Sequence, residues 1–131
     1  METAEKNAIL KGGEFLLKET KAEDTYIPEE INEEQKMMRG MVRDFVESEI
    51  WPRLDELDKL PEGLNEQLIE KAGELGLLGL AIPEEYGGMG LDVNSNTVFF
   101  EEIGKTHGFS VTMGAQIGIG MLPVFYFGTE E

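Results

Sequence analysis

Cysteine is missing from all 131 residues, which excludes disulfides and thiolate metal sites and fits a reducing compartment. Histidine occurs once, at His107, and one imidazole rarely suffices for a metal centre, even with Glu101 and Glu102 nearby. Positive charge is scarce: 11 Lys+Arg stand against 27 Asp+Glu, a formal net charge of −16. A field of that sign repels phosphate backbones and anionic lipid, so nucleic acid is not expected as a partner. A secretory leader is not expected either. Met1 to Ala8 is acidic and polar, without a basic start or an apolar stretch. Long uncharged runs are rare too, with one exception. Phe109 to Phe127 carries no formal charge over a length close to that of a membrane span. Ser110, Gln116 and Pro123 interrupt it, and its flank at Thr129-Glu130-Glu131 is acidic rather than basic, so no span is expected.

What is present reads as a soluble globular domain. The hydrophobic fraction is 40%, enough for one core. Residues 1–30 mix charge with Ile9, Leu10, Phe15, Leu16 and Leu17, and Gly12-Gly13 breaks any long helix there. This segment reads as an arm with a short strand or helical turn, closed by Pro28. The helical part begins at 31. Asn32 caps a helix whose first turn holds Glu33 and Glu34, where the dipole favours negative charge. Met37, Met38, Met41, Val42, Phe45 and Val46 give it one apolar face, and Pro52 kinks or interrupts it. Trp51 and the methionines read as core. A second helix runs from about Leu64 to Leu75.

Next, residues 81–90 form a loop, in which Gly87, Gly88 and Gly90 imply tight turns with positive backbone angles. No strand precedes these glycines and no lysine follows, so a phosphate cradle is not expected. Asp92 or Asn94 caps a third helix through Ile103. Ser110 caps a fourth, from Val111 to about Phe127, kinked at Pro123 and apolar nearly all round, hence buried on most sides. No repeat and no strand pattern interrupts the series. Thr129-Glu130-Glu131 reads as the opening of another helix, which implies a cut at an element boundary. An uncovered fourth helix then implies self-association. The pairs Glu84/Glu85 and Glu101/Glu102 read as solvated surface, because adjacent helix residues do not face each other.

Three segments, in order, resemble one family. They are Gly73-Glu74-Leu75-Gly76-Leu77-Leu78-Gly79-Leu80-Ala81-Ile82-Pro83-Glu84-Glu85-Tyr86-Gly87-Gly88-Met89-Gly90, then Phe100-Glu101-Glu102-Ile103-Gly104, then Gly114 to Gly120 with Leu122-Pro123 and Phe127 to Glu131. Together they resemble the amino-terminal helical domain of acyl-CoA dehydrogenases, nearest the long-chain and very-long-chain branch. The resemblance implies an all-α, incomplete helical bundle over residues 31–131. It implies FAD in the complete protein, and formation of the 2,3-double bond of a long-chain fatty acyl-CoA in β-oxidation. It also implies an electron-transferring flavoprotein as electron acceptor, a homo-oligomer, and a cytoplasmic or mitochondrial-matrix location. The acidic field of this segment would repel coenzyme A, so the basic groups holding the nucleotide are expected elsewhere. The family's base and flavin motifs match no position here, so no catalytic, cofactor-binding or metal-ligating residue is expected, and the chain alone is expected to be inactive.

What the family's corresponding helix does is wall the acyl pocket. The matching positions are Gly114, Ala115 and Gly118. Gly114 and Gly118 stack on one face, four residues apart, and small side chains there leave room for a long chain. The same spacing also suits close helix packing. Two rival readings stand beside this one. The first is another superfamily member: an acyl-CoA oxidase, a nitroalkane oxidase or a flavin hydroxylase. The second is a stand-alone helical interaction module that uses the apolar fourth helix.

Overall fold

The computed structural model describes residues 12–21 and 30–129, so the expectations for Ile9, Leu10, Pro28 and the helix opening at Glu130-Glu131 lie outside the described residues. The chain divides into two units, Met1–Glu33 and Glu34–Glu131. The smaller unit contains a 3-10 helical turn, Gly12–Leu16. The Glu14 carbonyl accepts from the Leu17 and Lys18 amides, and Lys18 Nζ bonds the Glu14 carboxylate at 2.7 Å.

The larger unit is helical throughout its regular structure. Its elements are α1 (Glu33–Phe45, beginning just outside the unit), α2 (Leu54–Leu57), α3 (Leu64–Glu74), α4 (Val93–Ile103), α5 (Gly108–Gly114) and α6 (Met121–Phe127). All regular structure among the described residues is helical, which makes the fold all-α.

Helix α1 buries Gln35, Met38, Val42 and Phe45, a three- and four-residue recurrence. Met37 is 70% exposed, contrary to the core reading, because it sits one helical step off that stripe. Gln35 takes a core place instead, its Nε2 donating to Ser95 Oγ on α4 at 3.1 Å. Past Phe45 the helix widens into a π turn, Val46–Ile50, and tightens into a 3-10 turn, Trp51–Arg53. Pro52 thus interrupts the helix as its chemistry dictates. Trp51 is 45% exposed rather than core, because the change of turn leaves Ile50, not Trp51, facing inward.

Helix α3 follows Gly63, whose backbone is left-handed at φ 83°, and buries Leu68 and Ala72. Helix α4 is capped by Asp92, which accepts from the Ser95 amide at 2.8 Å. Helix α5 packs on α3 and α4. It starts at Gly108, earlier than a Ser110 cap would place it. Ser110 instead donates its hydroxyl to the His107 carbonyl at 2.7 Å. The buried side chains Val42, Val46, Leu68, Phe99, Ile103 and Met113 make the core between these helices. Helix α5, a second π turn (Ala115–Gly120) and α6 run on as one helix, Gly108–Phe127.

That long helix differs from expectation in one respect. Apolar on most sides, it buries only Phe109, Met113 and Ile117, and leaves Val111, Ile119, Val124, Tyr126 and Phe127 exposed. The other described elements cover one face and no more. By length and composition the helix is long and apolar enough to cross a membrane.

Candidate functional site

The chain from Leu77 to Leu91 prepares one wall of a cavity. Gly87 adopts φ 80°, a left-handed turn, and closes the 3-10 turn Glu84–Tyr86. A side chain at Gly88 would run into the Ile82 and Gly79 carbonyl oxygens, so only glycine fits this approach. The strand-like return is then fixed by three amides. Met89 N–H donates to Gly79 O at 2.9 Å, Gly90 to Ile82 O at 2.8 Å and Leu91 to Leu80 O at 2.8 Å. These bonds hold residues 79–82 against residues 89–91.

The cavity they help enclose has a volume of about 290 Å³. Its lining comes from three places: Leu78, Leu80, Ala81 and Ile82; Val93, Asn96 and Phe100 of α4; and Ile117, Gly118, Leu122 and Tyr126 of the long helix. Gly118 contributes a hole. A Cβ built there meets nothing within 4 Å. Gly114 lies one turn back, where a Cβ would rest 3.8 Å from the Phe100 ring. Ala115 is exposed and does not line this cavity. Of the three small residues singled out from the sequence, then, Gly118 opens into the cavity, Gly114 packs beside it, and Ala115 lies away from it.

A wider hollow of about 670 Å³ flanks the same helix, lined by Ile82, Tyr86, Gly120, Met121, Val124, Phe125, Gly128 and Thr129. Tyr86 and Phe125 meet edge to face across it, ring centroids 5.8 Å apart. This contact ties the glycine loop to α6. The wider hollow contains none of the three residues picked out from the sequence, so the smaller cavity is the better candidate site.

Charge is concentrated elsewhere, at the seam of α1 and α4. Glu102 is 2% exposed, which corrects the solvated-surface reading of the Glu101/Glu102 pair. Arg43 holds one carboxylate oxygen at 2.8 Å and Lys105 the other at 2.6 Å. Arg39 binds the exposed Glu101 and lies 4.0 Å from Glu102, its buried Nε making no hydrogen bond. The Arg43 hydrogen bond, with Lys105, holds the Glu102 carboxyl below its ordinary value against the opposing effect of burial. A buried, fully paired carboxylate of this kind is a structural tie. The pattern Arg39/Arg43 on one helix face was the sequence signal for it. Glu84 and Glu85 are exposed as expected. His107 sits at the start of α5 with φ 50°, its Nδ1 3.8 Å from exposed Asp58. Among the described residues no group of three or more His, Asp or Glu side chains converges as a metal site would.

A flavin dinucleotide brings a pyrophosphate, which needs cations or converging backbone N–H groups. The candidate cavity offers only Asn96 and Tyr126 as polar side chains. Lys71, beside a separate groove, is already bound to Glu49 at 2.6 Å. The candidate cavity therefore does not by itself offer a flavin cradle.

Comparison with known proteins bears on the whole arrangement. The family described as acyl-CoA dehydrogenase, N-terminal domain, matches residues 32–131. A probable acyl-CoA dehydrogenase of Bacillus subtilis is 40% identical over 123 residues, covering 94% of this chain and 21% of that protein. The mitochondrial short-chain specific acyl-CoA dehydrogenase of Bos taurus is 35% identical over 103 residues, 78% of this chain and 25% of that protein. A 3-(aryl)acrylate reductase of Clostridium sporogenes is 32% identical over 100 residues, 76% of this chain and 26% of that protein. The crystal structure of an acyl-CoA dehydrogenase complexed with FAD from Bacillus anthracis superposes with a TM-score of 0.85 at 41% identity. It matches 92% of this chain and 21% of that one. The chain thus spans about a fifth to a quarter of the length of these relatives. It belongs to the acyl-CoA dehydrogenase family, and residues 32–131 are the part that matches its amino-terminal domain.

Proposed function

We propose that this chain supplies one wall of the acyl site in a flavin-dependent acyl-CoA dehydrogenase that forms the 2,3-double bond of a long-chain fatty acyl-CoA. The observation that carries this is Gly118: on a mostly apolar cavity, the missing side chain leaves open space. An acyl tail gains roughly 0.8 kcal/mol per methylene buried, so a hole of this kind favours a longer tail. Gly114 and Ala115 belong to the same reading as neighbours on the helix, Gly114 keeping the Phe100 ring close. In this reading residues 1–30 are an arm and residues 31–131 the helical domain.

The wider parts of the proposal rest on family membership. They are FAD as cofactor, an electron-transferring flavoprotein as acceptor, a homo-oligomer, and a place in fatty acid β-oxidation inside the cytoplasm or mitochondrial matrix. The FAD-bound Bacillus anthracis relative supports the cofactor. Short-chain and arylacrylate relatives favour other acyl groups, which makes chain length the point to test.

The test uses the flavin-loaded complete enzyme. Gly118→Leu should fill the cavity and lower kcat/KM for long acyl-CoA by about tenfold, roughly 1.4 kcal/mol, while short acyl-CoA keeps its rate. An equal loss at every length would sink the pocket role. Bleaching of a bound flavin by acyl-CoA without oxygen would support the dehydrogenase assignment, and a flavin that ignores acyl-CoA would reject it.

A further inference from the structure

Both π turns of the larger unit precede a proline. Val46–Ile50 comes before Pro52, and Ala115–Gly120 before Pro123. Proline donates no N–H, and its ring crowds the carbonyl four residues back, which is Ser48 in one case and Ile119 in the other. A π turn answers this by shifting the hydrogen bonds to the fifth residue back. Trp51 N–H reaches the Val46 carbonyl, and Met121 N–H is shared between Gln116, five residues back, and Gly118, three back. Gly120 adds a second constraint. A Cβ there would lie 3.1 Å from the Ala115 carbonyl oxygen, also five residues back.

The register matters because of what lies on either side of the second turn. Ile117 stands within it and Leu122 follows five residues on, about 140° away around a plain α-helix, yet both line one cavity. Removing the π turn would add about 100° of rotation, the arc of one residue at 3.6 per turn. Each residue beyond the turn would then take the direction its successor has now. Half-buried Leu122 would point where exposed Pro123 points. Phe125 would leave the Tyr86 ring it now meets.

We propose that Pro123 and Gly120 are positioning residues that hold the π turn, and so keep Leu122 and Tyr126 on the same cavity as Ile117. The consequence for acyl length rests on the acyl-pocket reading above; the register itself does not.

The chain contains no cysteine, so single thiols can be read cleanly. Leu122→Cys and Ile119→Cys are each labelled with a maleimide in the 131-residue chain, in the parent and in the Pro123→Ala background. In the parent, position 122 labels slowly and position 119, now 82% exposed, labels fast. With Pro123→Ala the rate at 122 rises and the ratio of the two rates falls toward unity. That substitution restores a helix hydrogen bond, so folding is not endangered. Gly120→Ala gives the same shift by crowding the Ala115 carbonyl. An unchanged ratio in both backgrounds overturns the proposal. In the flavin-loaded complete enzyme, Pro123→Ala then shifts the acyl-length profile of kcat/KM at unchanged flavin content. A shifted labelling ratio with an unshifted profile leaves the positioning of the turn intact and overturns the acyl-pocket reading.

Discussion

The α1–α4 seam and the long helix of α5 and α6 solve opposite problems. The seam buries charge and satisfies nearly all of it: Glu102 meets Arg43 and Lys105, and Gln35 meets Ser95. The helix carries no charge and leaves much of its apolar surface exposed. A buried carboxylate with two cations has a unique geometry, because any slip leaves an unpaired charge in a low-dielectric place. An exposed apolar face has no such preference. The seam therefore fixes how the helices align, and the helix is left free to be shaped for occupants, as its π turn and its Gly118 hole suggest.

The comparison breaks most sharply at Glu102. Glu102→Ala should destabilise the chain by about 2 kcal/mol in urea unfolding, since it removes the charge-assisted hydrogen bonds of Arg43 and Lys105 to a buried carboxylate. Glu101, 58% exposed and bound to Arg39, is the control: Glu101→Ala should cost about 0.5 kcal/mol or less. Equal losses at the two positions would mean that burial does not set the value of these ion pairs.

Acid should weaken the same seam reversibly. The folded-state values of Glu102 and Asp92 both lie below their ordinary values of 4.5 and 3.8. For Glu102 the cause is the Arg43 hydrogen bond; for Asp92 it is the backbone N–H of Ser95. A depressed folded value contributes stability that is complete above the ordinary value and is lost as pH falls through the folded one. Acid also reduces a net charge of −16, which relieves self-repulsion and works in the opposite direction. The Glu102→Ala variant separates the two effects. Its stability should fall less on acidification than that of the parent, and parallel curves would remove Glu102 from the account.

The two regions also differ in how far sequence reasoning reaches. Apolar spacing is enough to place α3 and α4, but it leaves the cap of α4 open between Asp92 and Asn94, and the Ser95 amide selects Asp92. The prolines at 52 and 123 mark where helices must change. By themselves they do not say whether the helix kinks or widens, because that depends on the residues before them, such as Gly120 ahead of Pro123. Glu102 was misread because adjacency along a helix says nothing about the facing helix. Its partner Arg43 is 59 residues away in sequence. Ala115 and Gly118 look equivalent in sequence, and the π turn separates them: one is exposed and the other opens on the cavity. Trp51 and Met37 show the limit of hydrophobicity as a guide, since each falls a step outside its buried stripe.

The smallest expected effect on stability comes from the helix side. Phe127 is 87% exposed, so Phe127→Ser removes little buried area and should change the unfolding free energy by no more than about 0.5 kcal/mol. Its effect should appear in association instead. The face formed by Val124 and Phe127 is uncharged, so the acidic field is weakest where two copies would meet. Sedimentation at high concentration should show self-association of the parent chain and less of it in the variant. A variant that loses stability like a core substitution would mean that this end of the helix is packed, and the contrast with the seam would disappear. A parent that stays monomeric at every concentration would mean that exposed apolar area on this helix is too small or too curved to hold a second copy.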